Sequence, residues 1–272
     1  MHPDPGDPPT QPLAVVTSPV PVGRSPWTFV DVFAGLGAVL LFGTVLGAVV
    51  RITGPDLGSA ALVVSALPVW IGLLGTAVWA CRRHGTGSLV QDLALRIRPI
   101  DLAIGLGAGL GLRFVIGIWA VICTRLTGQQ PESNLQEVLG GRGLGAGAWL
   151  VINMLAIALV GPLIEEIFFR GVGLRGALAG LLRRSNSRPR LADPRRRARI
   201  AIAATALMFA LLHVSEVNDA ISALVLLPGL FCAGAVLGWL TIRTGRLGPA
   251  VVTHVVFNAV AVVALLTLGG SA

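Results

Sequence analysis

The chain has no lysine, only three cysteines and few ionisable groups: 12% of its 272 residues are charged, about half the share of a soluble domain. The shortage of charge excludes an ordinary water-soluble surface. The 54% of hydrophobic residues exceeds what an aqueous fold needs for its core and points to a bilayer. The cysteines, Cys81, Cys123 and Cys232, lie apart in or at the ends of apolar runs without CxxC spacing. Structural or metal-binding roles favour clustering, so these read as small packing residues. No HExxH is present, which removes the most specific helical zinc signature.

What is present is a series of apolar runs, at about 30–50, 60–81, 102–124, 146–182, 199–214, 220–242 and 248–268. A spanning helix takes roughly 20 such residues. The fourth run is too long for one simple crossing, and Gly161-Pro162 is expected to break or kink it. The predicted fold is therefore all-α, a polytopic transmembrane bundle of seven or eight helices. Residues 1–26 hold eight of the seventeen prolines and read as a disordered tail. No short apolar core with a small-residue cleavage site marks a secretory signal. Residues 27–145 form a first set of membrane helices and 146–268 a second.

The formal net charge is +8, carried by 21 arginines. They cluster between apolar runs and no nucleic-acid motif accompanies them, so the expected partner is a lipid bilayer rather than nucleic acid. With the N-terminus inside, 15 arginines fall in cytoplasmic segments (eight of them from Arg183 to Arg199), and only Arg51, Arg125 and Arg142 fall opposite. The positive-inside bias thus predicts an integral membrane protein with a cytoplasmic N-terminus. Gly105/Gly109, Gly107/Gly111, Gly176/Gly180 and Gly234/Gly238 have GxxxG spacing and predict close helix packing.

Against this apolar background the ionisable groups stand out, because each costs about 2.5–3.5 kcal/mol in mid-bilayer even on a lenient insertion scale. They fall in three windows of the second half. In Glu165-Glu166-Ile167-Phe168-Phe169-Arg170, Glu166 and Arg170 are four apart and can pair. Glu165 is rotated by about 100° and faces elsewhere, available as a general base. Phe209-Ala210-Leu211-Leu212-His213 ends one span, and His254-Val255-Val256-Phe257-Asn258 places a histidine and an asparagine on one helical face. Read alone, the last pair also fits a helix–helix polar clamp. Measured along the helices, Glu165, His213 and His254 differ in depth and meet only if helices slide, tilt or kink. Arg113, mid-span in the third helix, is expected to pair with a carboxylate such as Glu166 or to line a wet cavity.

Glu-Glu-x-x-x-Arg, then Phe-x-x-x-His, then His-x-x-x-Asn, in this order on membrane helices, resembles the CPBP family. These are the CAAX-protease and bacteriocin-processing (Abi) membrane proteins, type II CAAX prenyl endopeptidase-like. The resemblance covers about residues 146–268, supported by Gly161-Pro162, Phe169-Arg170-Gly171 and Arg243-Thr244-Gly245. It implies an intramembrane endopeptidase of a bacterial plasma membrane, acting on a peptide or protein substrate at the membrane. Glu165 and His213 would activate water, His254 and Asn258 would steady the oxyanion, and Glu166 and Arg170 would support them. A divalent metal, zinc foremost, held by Glu165, His213 and His254 is the alternative chemistry. Two other classes compete: a non-proteolytic immunity or partner protein that keeps the polar site for packing, and a proton-coupled transporter. No internal repeat of the kind common in transporters is visible.

Overall fold

The computed structural model describes residues 27–130, 147–185 and 187–268; the predicted tail over 1–26 lies outside them, as does Arg142. Seven long helices account for most of these residues: α1 (Phe29–Thr53), α2 (Ala61–His84), α3 (Pro99–Thr127), α4 (Ala148–Ser185), α5 (Pro194–Leu212), α6 (Ala220–Thr244) and α7 (Gly248–Leu268). No strand occurs among the described residues. Six helices are long and apolar enough to cross a membrane, and α7 contributes a shorter apolar stretch. The predicted all-α polytopic bundle is what forms.

Helix ends follow local chemistry. Thr28 donates its N–H and hydroxyl to Asp31 in the first turn of α1, at 2.7 and 2.9 Å. Asp193 accepts from the Arg195 N–H at the start of α5, and Asp219 accepts from the N–H groups of Ile221 and Ser222 at the start of α6. Each satisfies amides that a helix start leaves open. Gly245 closes α6 at φ 70°, a left-handed conformation that costs glycine little, and turns the chain into α7. Beside that turn Arg246 forms an ion pair with Asp101 of α3. This hydrogen bond to Asp101 holds the Arg246 guanidinium above its ordinary pKa.

The surface is apolar where a soluble protein would be polar. Val30, Phe33, Leu40, Leu41, Val45, Val49 and Ile52 of α1 are exposed, as are Ile100, Leu102, Leu106, Phe114 and Val115 of α3. These faces suit lipid, whose tails make burial of leucine unnecessary. Close approach between helices instead uses small residues. A Cβ on Gly234 would fall 3.0 Å from the Ala206 backbone, and one on Gly176 3.3 Å from the Thr28 carbonyl. Of the four predicted GxxxG pairs, three pack against a neighbouring segment; a Cβ on Gly107 or Gly111 would meet nothing.

Of the two outcomes expected at Gly161-Pro162, a break or a kink, the break does not occur. Gly161-Pro162 does not divide the long run: α4 continues for 38 residues, with helical φ and ψ at Val160, Gly161 and Ile167. The proline's missing N–H is absorbed by a π turn over Ala156–Val160, closed by the Gly161 N–H on the Ala156 carbonyl. A widened turn tolerates the lost i→i−4 bond without ending the helix. A second π turn, Ile167–Gly173, follows the glutamate pair.

Candidate active site

The three polar windows meet. α4 brings Glu166 and Arg170 into the core one turn apart. Arg170 Nη1 donates to Glu166 Oε1 at 2.7 Å, the predicted pair. Glu166 is 0% exposed and Arg170 1%, so each charge is stripped of solvent and needs the other. Arg170 also donates through Nη2 to the Gly234 carbonyl of α6, at 3.2 Å, and its guanidinium lies 4.7 Å from the Phe209 ring centroid of α5. One side chain of α4 thereby ties α5 and α6 to it.

α7 supplies the next partner. His254 Nδ1 lies 2.9 Å from the same Glu166 Oε1. Beside an ionised carboxylate, which only accepts, Nδ1 carries the proton. Nε2 is turned the other way, 3.7 Å from Glu165 Oε2. His254 therefore stands between the two glutamates. Glu166 orients it, and Glu165, with its side chain 14% exposed, is the less buried of the two carboxylates.

His213 arrives from the end of α5. Its Nδ1 is 2.8 Å from the Phe209 carbonyl, an acceptor only, so Nδ1 is again the protonated nitrogen and Nε2 keeps a free lone pair. Phe209 links the two imidazoles, with its ring centroid 4.8 Å from that of His213 and 5.6 Å from that of His254. The depth mismatch seen along the sequence is removed by sliding. The first turn of α5 carries Arg195, Arg196 and Arg197, which belong outside hydrocarbon, so the C-terminal end of α5 reaches the middle of α4. Phe168, Phe169 and Phe209 pack edge to face at 5.2 and 5.4 Å and form an apolar wall beside the polar groups.

Asn258 lies one turn beyond His254. Its Nδ2 donates to the Ile157 carbonyl at 3.0 Å, inside the first π turn of α4, which leaves a second N–H on that nitrogen. Arg113 lies mid-helix in α3 as expected, but its partner is not a carboxylate. Its Nε donates to the Phe257 carbonyl at 2.5 Å and its guanidinium lies 3.7 Å above the Phe257 ring, so it pairs with a carbonyl and a ring rather than with Glu166.

The sequence reading passed over Glu216. It lies on the short 3-10 turn Val214–Glu216, its N–H bonds to the His213 carbonyl at 2.9 Å, and its carboxylate interacts electrostatically with both His213 and Glu165. An exposed glutamate at a helix end reads as solvated, and its position three residues after His213 is the one available signal. As for a metal, among the described residues no three His, Cys, Asp or Glu side chains converge as a ligand set. His254 holds Nδ1 on Glu166 and His213 holds Nδ1 on a carbonyl, which leaves Nε2 as the nitrogen that each would offer a metal, but these two atoms and Glu165 do not converge as a three-ligand set. The chemistry below is derived from the side chains alone.

Residues 147–260 match a family model described as Rce1-like, type II CAAX prenyl endopeptidase. The match runs from the start of α4 to just past Asn258 and takes in all three polar windows. No curated protein and no solved structure matches the chain.

Proposed function

We propose, from the match of residues 147–260 to the family model of Rce1-like type II CAAX prenyl endopeptidases, that this membrane protein hydrolyses a peptide bond with water activated by Glu165 and His213. The observation that carries the reading is the opposition of Glu165 Oε2 and His254 Nε2 at 3.7 Å, on a histidine whose other nitrogen is held by Glu166. A fully buried ion pair that served packing alone would not require a second carboxylate on the far side of the imidazole.

The chemistry follows from which atoms are free. Glu165, or the Nε2 lone pair of His213, accepts a proton from water as its oxygen attacks the carbonyl carbon. The oxygen of the tetrahedral intermediate is met by the second Nδ2–H of Asn258 and by the Nε2–H of His254 as imidazolium, donors fixed in advance by the Ile157 carbonyl and by Glu166 on Nδ1. Collapse breaks the C–N bond, and the proton taken from water passes to the leaving amine. The apolar wall of Phe168, Phe169 and Phe209 lowers the local dielectric and strengthens each of these interactions. The substrate is a peptide segment reached from the membrane or the cytoplasm, with the N-terminus of the protein on the cytoplasmic side.

The test uses the full chain in lipid vesicles with a fluorogenic peptide library, prenylated and unprenylated. Glu165→Gln should lower the cleavage rate by about 10²–10⁴-fold, the range of general-base contributions, while leaving insertion and the unfolding midpoint unchanged. Cleavage undiminished in that variant removes the reading. If the side chains act without a metal, activity survives dialysis against a chelator; loss reversed by added zinc would restore the metal alternative.

A further inference from the structure

The matched region omits α3, yet α3 lies directly against the turn of α7 that carries the site. Gly105, Gly109 and Arg113 are spaced at i, i+4 and i+8 and share one face of α3. A Cβ on Gly105 would fall 2.9 Å from the Thr253 nitrogen, and one on Gly109 2.9 Å from the Thr253 carbonyl, so the two backbones touch just before His254. One turn further on, Arg113 caps the same face. Its guanidinium covers the Phe257 ring at 3.7 Å and Nε reaches the Phe257 carbonyl at 2.5 Å. Thr253 and Phe257 each immediately precede a site residue, His254 and Asn258.

Two features separate this arginine from a packing residue. Among the described residues it has no carboxylate partner, unlike Arg170 and Arg246, so charge neutralisation does not account for it. Its hydrogen bond also goes to a main-chain oxygen inside a helix. That oxygen has two lone pairs, one for the helical N–H and one for Arg113. The charge-assisted bond and the cation–π stack together hold both the backbone and the ring of Phe257, which also clusters with Leu112 and Ala233.

We propose that Arg113 is a positioning residue for the site. It fixes the rotation of α7 about its axis, and hence the direction in which His254 and Asn258 present their N–H groups. The inference rests on the proposed peptidase reading. A small error in donor placement has a large effect on rate, since displacement of about 1 Å can cost 10²-fold. The N-terminal half of the chain then contributes to the reaction through α3, without touching substrate.

The test compares wild type, Arg113→Met, Arg113→Lys and Phe257→Leu as full-length protein in lipid discs. Arg113→Met should lower kcat by about tenfold or more with KM within about threefold, since donors misplaced by less than 1 Å act on the transition state rather than on binding. Arg113→Lys, which keeps a cation and a donor, should recover most of the rate. Without any substrate, amide exchange over 254–261 should quicken in Arg113→Met while the unfolding midpoint stays near that of wild type. Unchanged exchange, or a variant in which KM alone rises, overturns the proposal; the latter would make Arg113 a substrate-binding group. A fallen unfolding midpoint not repaired by lysine also overturns it, as a purely structural role. Undiminished cleavage in Glu165→Gln instead removes the peptidase reading, and leaves the exchange measurement to decide whether Arg113 orders α7.

Discussion

Arg170 holds the centre together through contacts with three helices, and its removal would strand a carboxylate. Glu166 would retain only the His254 bond in a site without solvent, and breaking a buried pair in this way costs about 3–5 kcal/mol. Arg170→Met should therefore lower the unfolding free energy by that order, measured by denaturant titration in detergent. Adding Glu166→Gln should recover part of it, because the second change removes the uncompensated charge; purely additive losses would mean the pair is not coupled. His254 depends on the same carboxylate for its tautomer, so Glu166→Gln alone should slow cleavage even though Glu166 Oε1 faces Arg170 and the imidazole rather than Glu165. At this scale the sequence was informative, because an ionisable group within hydrocarbon is anomalous in its own window. Glu165, Glu166, Arg170, His213 and His254 stood out that way, and Asn258 by its place four residues after His254. Arg113 stood out too, but its partner did not: a main-chain carbonyl 144 positions away leaves no mark in residue spacing.

At the level of the helices, glycine separates the faces that touch from those that do not. Gly234→Leu would drive a side chain into the Ala206 backbone of α5 and should cost about 1–3 kcal/mol, the usual penalty for overpacking. Gly107→Leu points into open space and should lie within about 0.5 kcal/mol of wild type. Unfolding midpoints of the two variants, measured side by side, check this contrast; equal values would mean that α5 and α6 do not meet as described. The equal spacing of the four glycine pairs could not distinguish them, since lipid and protein faces are both apolar. The π turns of α4 were equally hidden. An i→i+5 bond has no residue signature of its own, and Gly161-Pro162 reads as a break until the Ala156 carbonyl is seen to take the Gly161 N–H. That turn matters to the site, for Ile157 within it receives Asn258.

For the molecule as a whole, a bundle of seven or eight long helices was readable from hydropathy because solvent acts on each segment separately. Their mutual slide was not, since it depends on which residues dock. Orientation has a direct test: a cysteine replacing exposed Arg190, in a protein with its own three cysteines changed to alanine, should react with an impermeant maleimide only from the cytoplasmic side. Labelling from the opposite face would invert the arrangement. The spacing of the central ion pair has a further consequence for how such a chain reaches its membrane. Glu166 and Arg170 are one turn apart on the same helix, so this pair can enter the bilayer with its two charges mutually cancelled before α5, α6 or α7 has been synthesised. Arg170 cancels the charge of Glu166 during biogenesis, and His254 joins them only when the last helix arrives.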